Sequence, residues 1–386
     1  MLLGDPPSKN KGRKGRRSPL KRAVSFLALL VLVLGAVYLT LNYDALSQRL
    51  TDTIVGNLLF KREREAAEEL KFDVYSDSVI ACLDGGLAVA SGSGMQLVDI
   101  GGETVDSESV ILQDPAVSGG TNRAVVWSTG SKDFYVLGLK EGIEKHKTDE
   151  NVINVSINKE DWIALSAEEE GYKGAVTVYN NKLKSVYKWY SGEGYLIDAA
   201  LSDISDKMAA LTITGSGSKV TCFALSGQEE RGSYISENAL LFDLAFLGPN
   251  RICALGENSA VFLSDRGELI SSYSFSDGYL KDYSMDGSGF LTLVIGKYKT
   301  GSAASIVTLS ADGGVLGSID IKKEVLSISA CGKYLAVLYD DELAIYKSDL
   351  SEHARASDVA NARQVLARPD GSAVLLTNSG AVVFSA

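Results

Sequence analysis

The sequence predicts an all-β protein, an eight-bladed β-propeller carried behind a membrane anchor, and three observations predict it. A four-strand pattern recurs from about Val79 to the C-terminus at intervals of 37 to 46 residues, close to the ~40 residues that one propeller blade occupies. The composition suits short strands joined by tight turns, with 38 glycines against 6 prolines. A stretch of 21 uncharged residues stands before the first repeat.

The pattern is plainest in Val325–Asp349, VLSISACGKYLAVLYDDELAIYKSD. A first strand (Leu326, Ile328) leads through a Gly turn into a second strand that is apolar on both faces (Tyr334 to Tyr339). An acidic turn and an alternating third strand (Leu343 to Tyr346) follow. Aligned on the first core residue of the second strand, the copies begin at Leu87, Ala124, Trp162, Met208, Ile252, Phe290, Tyr334 and Ala373. That gives eight blades, with a seven-bladed ring as the alternative. Turns recur as Asp99 to Glu103, Ser264 to Glu268 and Ser310 to Gly314, where glycine supplies the positive φ that a tight hairpin demands. The eighth copy ends after its third strand, while Lys71 to Asp77 (KFDVYSD) stands unpaired before the first. The two ends are therefore expected to share one blade, with residues 71–77 as its outer strand.

Ahead of the ring the order is a basic tail (1–22), a transmembrane helix (23–43), a helical stalk (44–70) and then the propeller (71–386). The 21 uncharged residues suffice to cross a hydrocarbon core of roughly 30 Å at 1.5 Å per residue. A cleaved signal is the competing reading, but Asn42 to Leu46 offers no small-x-small site. Residues 1–22 carry eight Lys/Arg and the single acid Asp5, which places the N-terminus in the cytoplasm and the propeller outside the cell membrane. In the stalk Leu46, Leu50, Ile54 and Leu58 recur at four-residue steps, followed by KREREAAEEL. Fewer than three clean heptads make it a spacer rather than a dimerising coil. Beyond residue 22 the chain holds 30 Lys/Arg against 48 Asp/Glu, so it repels phosphates and is no nucleic-acid binder.

With those repeats in view, notably GLAVASGSGMQLVDIGGE at residues 86–103, the plan resembles a family of uncharacterised membrane-anchored propellers of Gram-positive anaerobic bacteria. Its blades are similar to those of quinoprotein-type and WD-type propellers. The resemblance implies a location and a fold; it brings no catalytic residues.

Little chemistry is legible. His146 and His353 are the only histidines, too few and too far apart for a His-ligated metal or a Ser-His-acid triad. Cys82, Cys222, Cys253 and Cys331 fall singly in or beside strands and read as buried thiols, a Cys222–Cys253 disulfide being disfavoured. Trp127, Trp162 and Trp189 share no common setting, so no quinone is implied. Glu168–Glu170 lack calcium-loop spacing and read as a solvated hairpin loop. Asn154–Ser156 is a formal glycosylation sequon but falls in an inner strand. Tyr187, Tyr190, Tyr195, Tyr273, Tyr279 and Tyr283 gather at blade junctions, as packing residues or as a binding face. No catalytic, cofactor or metal residue is assigned.

The expected function is a membrane-anchored, extracytoplasmic binding or scaffold module for a protein, peptide or cell-wall glycan. The alternative is a carbohydrate hydrolase or lyase using channel carboxylates such as Asp198, Asp203, Asp243 and Asp282, which requires two acids about 5–10 Å apart.

Overall fold

The computed structural model describes residues 68–386, apart from 71–73, 76, 228, 238, 302, 358, 360, 379 and 386. The tail, the span at 23–43 and the stalk up to residue 67 lie outside the described residues. Among those described, no helix is long and apolar enough to cross a membrane.

What the described residues build is eight four-stranded antiparallel sheets. In blades one to seven the four strands follow one another in sequence and pair in that order. Blade one runs Val79–Leu83, Gly86–Ser91, Gly94–Asp99 and Thr104–Glu108. All eight second strands fall where the apolar runs put them, from Gly86–Ser91 to Ala373–Leu376.

The second strands are apolar on both faces because each sheet is sandwiched between two others, and strand alternation serves both neighbours at once. In blade one, Leu87 and Val89 pack on the last blade, whereas Ala88 and Ala90 pack on blade two. Eight separate hydrophobic clusters result, each built from two adjacent blades, and the eighth joins the last blade to the first. The ring therefore has eight blades and is closed; the seven-bladed alternative falls.

The three recurrent turns are one structure. Asp99, Ser264 and Ser310 each bond the carbonyl four residues on, and Gly102, Gly267 and Gly313 take φ near +80°. Each also docks on the preceding blade. A Cβ at Gly267 would meet the backbone of Ser233 at 2.8 to 2.9 Å, so these glycines serve packing as well as turning.

Ring closure differs from expectation in its residues. The fourth strand of the last blade is Glu68–Leu70, paired antiparallel with Ala381–Phe384 in the register Glu68 to Val383 and Leu70 to Ala381. That place falls to residues 68–70 where 71–77 were expected, so the ring takes in residues ahead of 71. The strand takes three residues assigned to the stalk, since Glu and Leu in REREAAEEL are good helix formers read without their partner. A free sheet edge overrides that preference. Leu70, only 2% exposed, fills the seam between the last and first blades beside Ile80, Leu87, Val98 and Val374, and the Gly102 turn closes over it.

Two outcomes follow for stability. Leu70→Ala should lower the unfolding free energy by about 2–5 kcal/mol, as truncation of a buried leucine does, measured by urea denaturation. A chain beginning at Ser78 should melt well below one beginning at Lys61 and aggregate through its open edge. Equal melting points would show that Glu68–Leu70 does not close the ring.

Candidate functional site

The first strands of neighbouring blades touch around the ring axis. In five consecutive blades the first strand is bulged at one level, between Val152 and Asn154, Leu196 and Asp198, Leu241 and Asp243, Leu280 and Asp282, and Val325 and Ser327. A bulge re-aims the side chain that follows it, and in each case that residue is polar: Asn154, Asp198, Asp243, Asp282 or Ser327.

These side chains fasten each blade to the next. Asn154 Nδ2 donates to Asp198 Oδ1 at 2.6 Å, and the Leu244 amide of the following blade donates to Asp198 Oδ2 at 3.1 Å. Tyr283 Oη donates to Asp243 Oδ2 at 2.5 Å, and the Val365 amide donates to Ser327 Oγ at 3.3 Å. The Ala199, Leu244 and Tyr283 amides close back onto Asp198, Asp243 and Asp282 at 2.7 to 2.8 Å. A second tier lies two residues on. Ser118, Ser284 and Ser329 accept from Ile157, Ala330 and Ala367 of the next blade, and Ser156 donates to the Ala199 carbonyl.

Burial sets the charge of this seam. Asp198 is 4% exposed, and burial, reinforced by the charge of Asp243, pushes its carboxyl up to about 7 despite the bonds from Asn154 and Ala199. Asp243 and Asp282 are raised by burial too. Asp198 and Asp243 lie within hydrogen-bonding reach of each other, so burial and mutual repulsion disfavour two charges there. Tyr283 is held well above the usual phenol range by its burial and by Asp243.

Two of the four sequence candidates, Asp198 and Asp243, thus meet, Asp282 takes the same level in the next blade, and Asp203 stands apart. It lies at the other end of its first strand, in an exposed ion pair with Lys159 at 2.7 Å. The Asp198–Asp243 pair lacks the separation that glycoside hydrolysis needs, roughly 5–5.5 Å for retention or 6.5–9.5 Å for inversion, and its oxygens are taken by the protein's own donors. Asp286, which the sequence reading did not single out, is reached by solvent yet crowded by protein. Its carboxyl is raised by that crowding and by Asp243, with Lys159 opposing.

The remaining candidates are placed individually. Asn154, the sequon residue, lies in a first strand with its amide on Asp198. Glu168–Glu170 occupy a hairpin loop, Glu168 bonded by Asn151 and Glu169 paired with Lys188 at 2.9 Å. The four cysteines are free thiols, with Cys82 and Cys222 pushed up to about 12 and Cys331 to about 11 by burial. Trp127 and Trp189 sit in a second and a fourth strand, and Trp162 lies just ahead of the strand Ile163–Ala167.

Around this seam the two faces of the ring differ. Loops joining strands two and three, and those leading into each next blade, lie on the face where first strands begin, the entry face. Among the described residues, all seven exposed large aromatic side chains belong to it, whereas the opposite face carries aliphatic ones, Ile100 and Ile204 in its loops and residues such as Val105, Leu269 and Val315 at the adjoining ends of fourth strands. Tyr172 and Tyr190 meet on the entry face at a tilt of 35° with centroids 4.8 Å apart, and Tyr195, Phe242, Tyr279 and Tyr298 extend the set. Tyr187 is buried instead, against Phe223, Tyr283 belongs to the seam, and Tyr273 packs partly buried in an outer strand.

The architecture is that of a WD40-like eight-bladed propeller. Its residues 61–382 match the model of the family of unknown function DUF5711, and the chain belongs to that family. In structure it is similar to the C-terminal WD40 domain of Sif2, at TM-score 0.56 and 13% identity over 84% of this chain and all of that one. A chain of a mitotic checkpoint complex is similar at TM-score 0.47 and 14% identity, over 70% of this chain and 86% of that one. No curated protein matches it in sequence.

The seam makes stability depend on pH. Because the Asp198 carboxyl titrates higher in the fold than in the unfolded chain, the native state binds the extra proton between about pH 4 and 7, and stability falls as pH rises through that window. Asp198→Asn should lower the melting temperature at pH 5, where the amide cannot accept from Leu244, and the deficit should shrink by pH 8. A deficit that stays constant from pH 5 to 8 would mean that Asp198 is ionised throughout.

Proposed function

We propose that this protein is a single-pass membrane protein with a cytoplasmic N-terminus, whose propeller stands outside the cell and holds a protein or peptide on its entry face. The observation that carries the reading is that the exposed aromatic side chains among the described residues all gather on that face of a closed ring. Exposed apolar groups gathered on one surface mark an interaction site. The carboxylates beneath it are occupied in joining blades, which favours binding over hydrolysis. The anchoring part of the reading rests on the uncharged stretch at 23–43 and the eight basic residues before it.

Thiol labelling in intact cells tests the topology with little background. Cys222 and Cys253 are buried, and burial keeps all four native thiols protonated. A membrane-impermeant maleimide should label Glu170→Cys, in the exposed loop, and leave Ser8→Cys unlabelled until the cells are lysed. The reverse pattern would overturn the orientation, and a mature N-terminus near residue 45 would overturn the anchor.

A further inference from the structure

Blade six gathers positive charge in a ring that is otherwise acidic. Residues 68–386 hold 26 Lys/Arg against 44 Asp/Glu, yet three lysines stand together at the entry end of this blade. Its first strand, Tyr279–Ser284, pairs with its second, Phe290–Gly296, so that Tyr279 lies opposite Gly296. Lys297, Tyr298 and Lys299 therefore leave the second strand beside Tyr279, on the hairpin loop that leads into the third. Lys281 is the residue left over at the bulge between Leu280 and Asp282. A Cβ at Gly296 would meet Lys281 Cε, and Lys281 Nζ donates to the Lys299 carbonyl at 2.6 Å. Glycine at 296 thus leaves room for the lysine stem that ties down the loop.

The three ammonium groups are uncompensated. Among the described residues none of the three makes an ion pair, whereas Lys132, Lys159 and Lys188 each hold a carboxylate. Lys297 and Lys299 are exposed and flank Tyr298, which is 64% exposed, with Lys297 Nζ 5.6 Å from its ring centroid. Tyr279 is 46% exposed.

Acidic side chains frame the patch. Glu257 lies in the hairpin loop of blade five, Asp277 in the connection from five to six, and Asp320 and Glu324 where six leads into seven; all four are exposed. Lys322 adds one exposed cation on that last side, and Lys323 is paired with Asp341 at 2.8 Å. This frame limits the size of what fits. A polyanion, charged along its length, would run from the lysines onto the surrounding carboxylates. A short segment with two or three carboxylates would not, and acids more than about 8 Å away are screened at physiological ionic strength.

We propose that the entry end of blade six is a docking site for a short acidic segment of a polypeptide, whose Asp or Glu carboxylates seat on the ammonium groups of Lys297 and Lys299. Lys281 holds the loop, and Tyr279 and Tyr298 pack along the segment. This rests on the binding-module reading above and adds to it the partner's chemistry and its place. The tyrosine rings and lysine stems supply apolar contact, so the site does not depend on charge alone.

The test places a photo-crosslinking residue at Thr300, exposed on the same loop, in the full-length chain in the protein's own cell, and maps the crosslinked peptides by mass spectrometry. Crosslinks should reach a polypeptide segment that carries Asp or Glu. Lys297→Gln/Lys299→Gln should lower their yield about tenfold, and Lys297→Arg/Lys299→Arg should keep it near that of the parent. Lys182→Gln/Lys184→Gln removes the same charge from an exposed turn on the opposite face and should leave the yield unchanged. Melting temperatures establish that each variant is folded. An equal fall in both glutamine variants would reduce the effect to the net charge of the ring and overturn the proposal.

The pattern of crosslinks separates this proposal from the reading beneath it. A polypeptide segment without acidic residues at Thr300 overturns the acidic assignment and leaves the binding module standing. Crosslinks from Tyr195 but not from Thr300 overturn the place and leave the binding module standing. Crosslinks to a glycan alone, from Ile204 on the opposite face alone, or from none of these positions overturn both.

Discussion

Each blade of this ring presents apolar side chains on both faces of its sheet, so no blade buries its core without two neighbours. The consequence is mutual dependence around a circle. An open array would leave one apolar face and one sheet edge bare at each end, and closure removes both. A three-residue strand accomplishes this. Glu68–Leu70 completes the last sheet, and Leu70 enters the cluster shared by the last and first blades.

Packing alone does not define how first strands align where they crowd the axis. That role falls to polar side chains placed by bulges, each reaching the backbone or side chain of a neighbouring blade. Such groups are costly to bury and useful only if their bonds are complete. Asp198 and Asp243 meet the condition through donors of their own and neighbouring blades, while burial raises both carboxyls. A search for catalytic acids finds these residues first, because buried carboxylates with raised pKa are what active sites contain. Here their partners are the protein's own amides and a tyrosine.

Much of the ring was legible in the chain. The runs AVVWS, MAALT and YLAVL announce strands buried on both faces, and their spacing counts the blades. Glycine turns such as SDRGE announce hairpins through their φ requirement. What stayed hidden depends on contacts distant in sequence. Glu68–Leu70 has helical composition and becomes a strand only because Ala381–Phe384 offers an edge. Asp198 and Asp243 lie 45 residues apart in the chain, and nothing local reveals that they meet. Asp203, three residues beyond the Ala200 of the same strand, looks equivalent in composition yet projects from the far end. One signal was available for the seam: a polar residue follows a large side chain near the start of five first strands, as in Ile197-Asp198 and Phe242-Asp243, and its recurrence at blade spacing marks the bulge.

The closing strand carries the central claim, and native-state hydrogen exchange read by mass spectrometry tests it most directly. If Glu68–Leu70 completes the last blade, peptides covering Ala381–Phe384 should exchange as slowly as those covering Tyr334–Tyr339 in an interior strand, and both should open together as denaturant is raised. Fast exchange across Ala381–Phe384 under native conditions, with Tyr334–Tyr339 still protected, would show a free edge and contradict the closed ring.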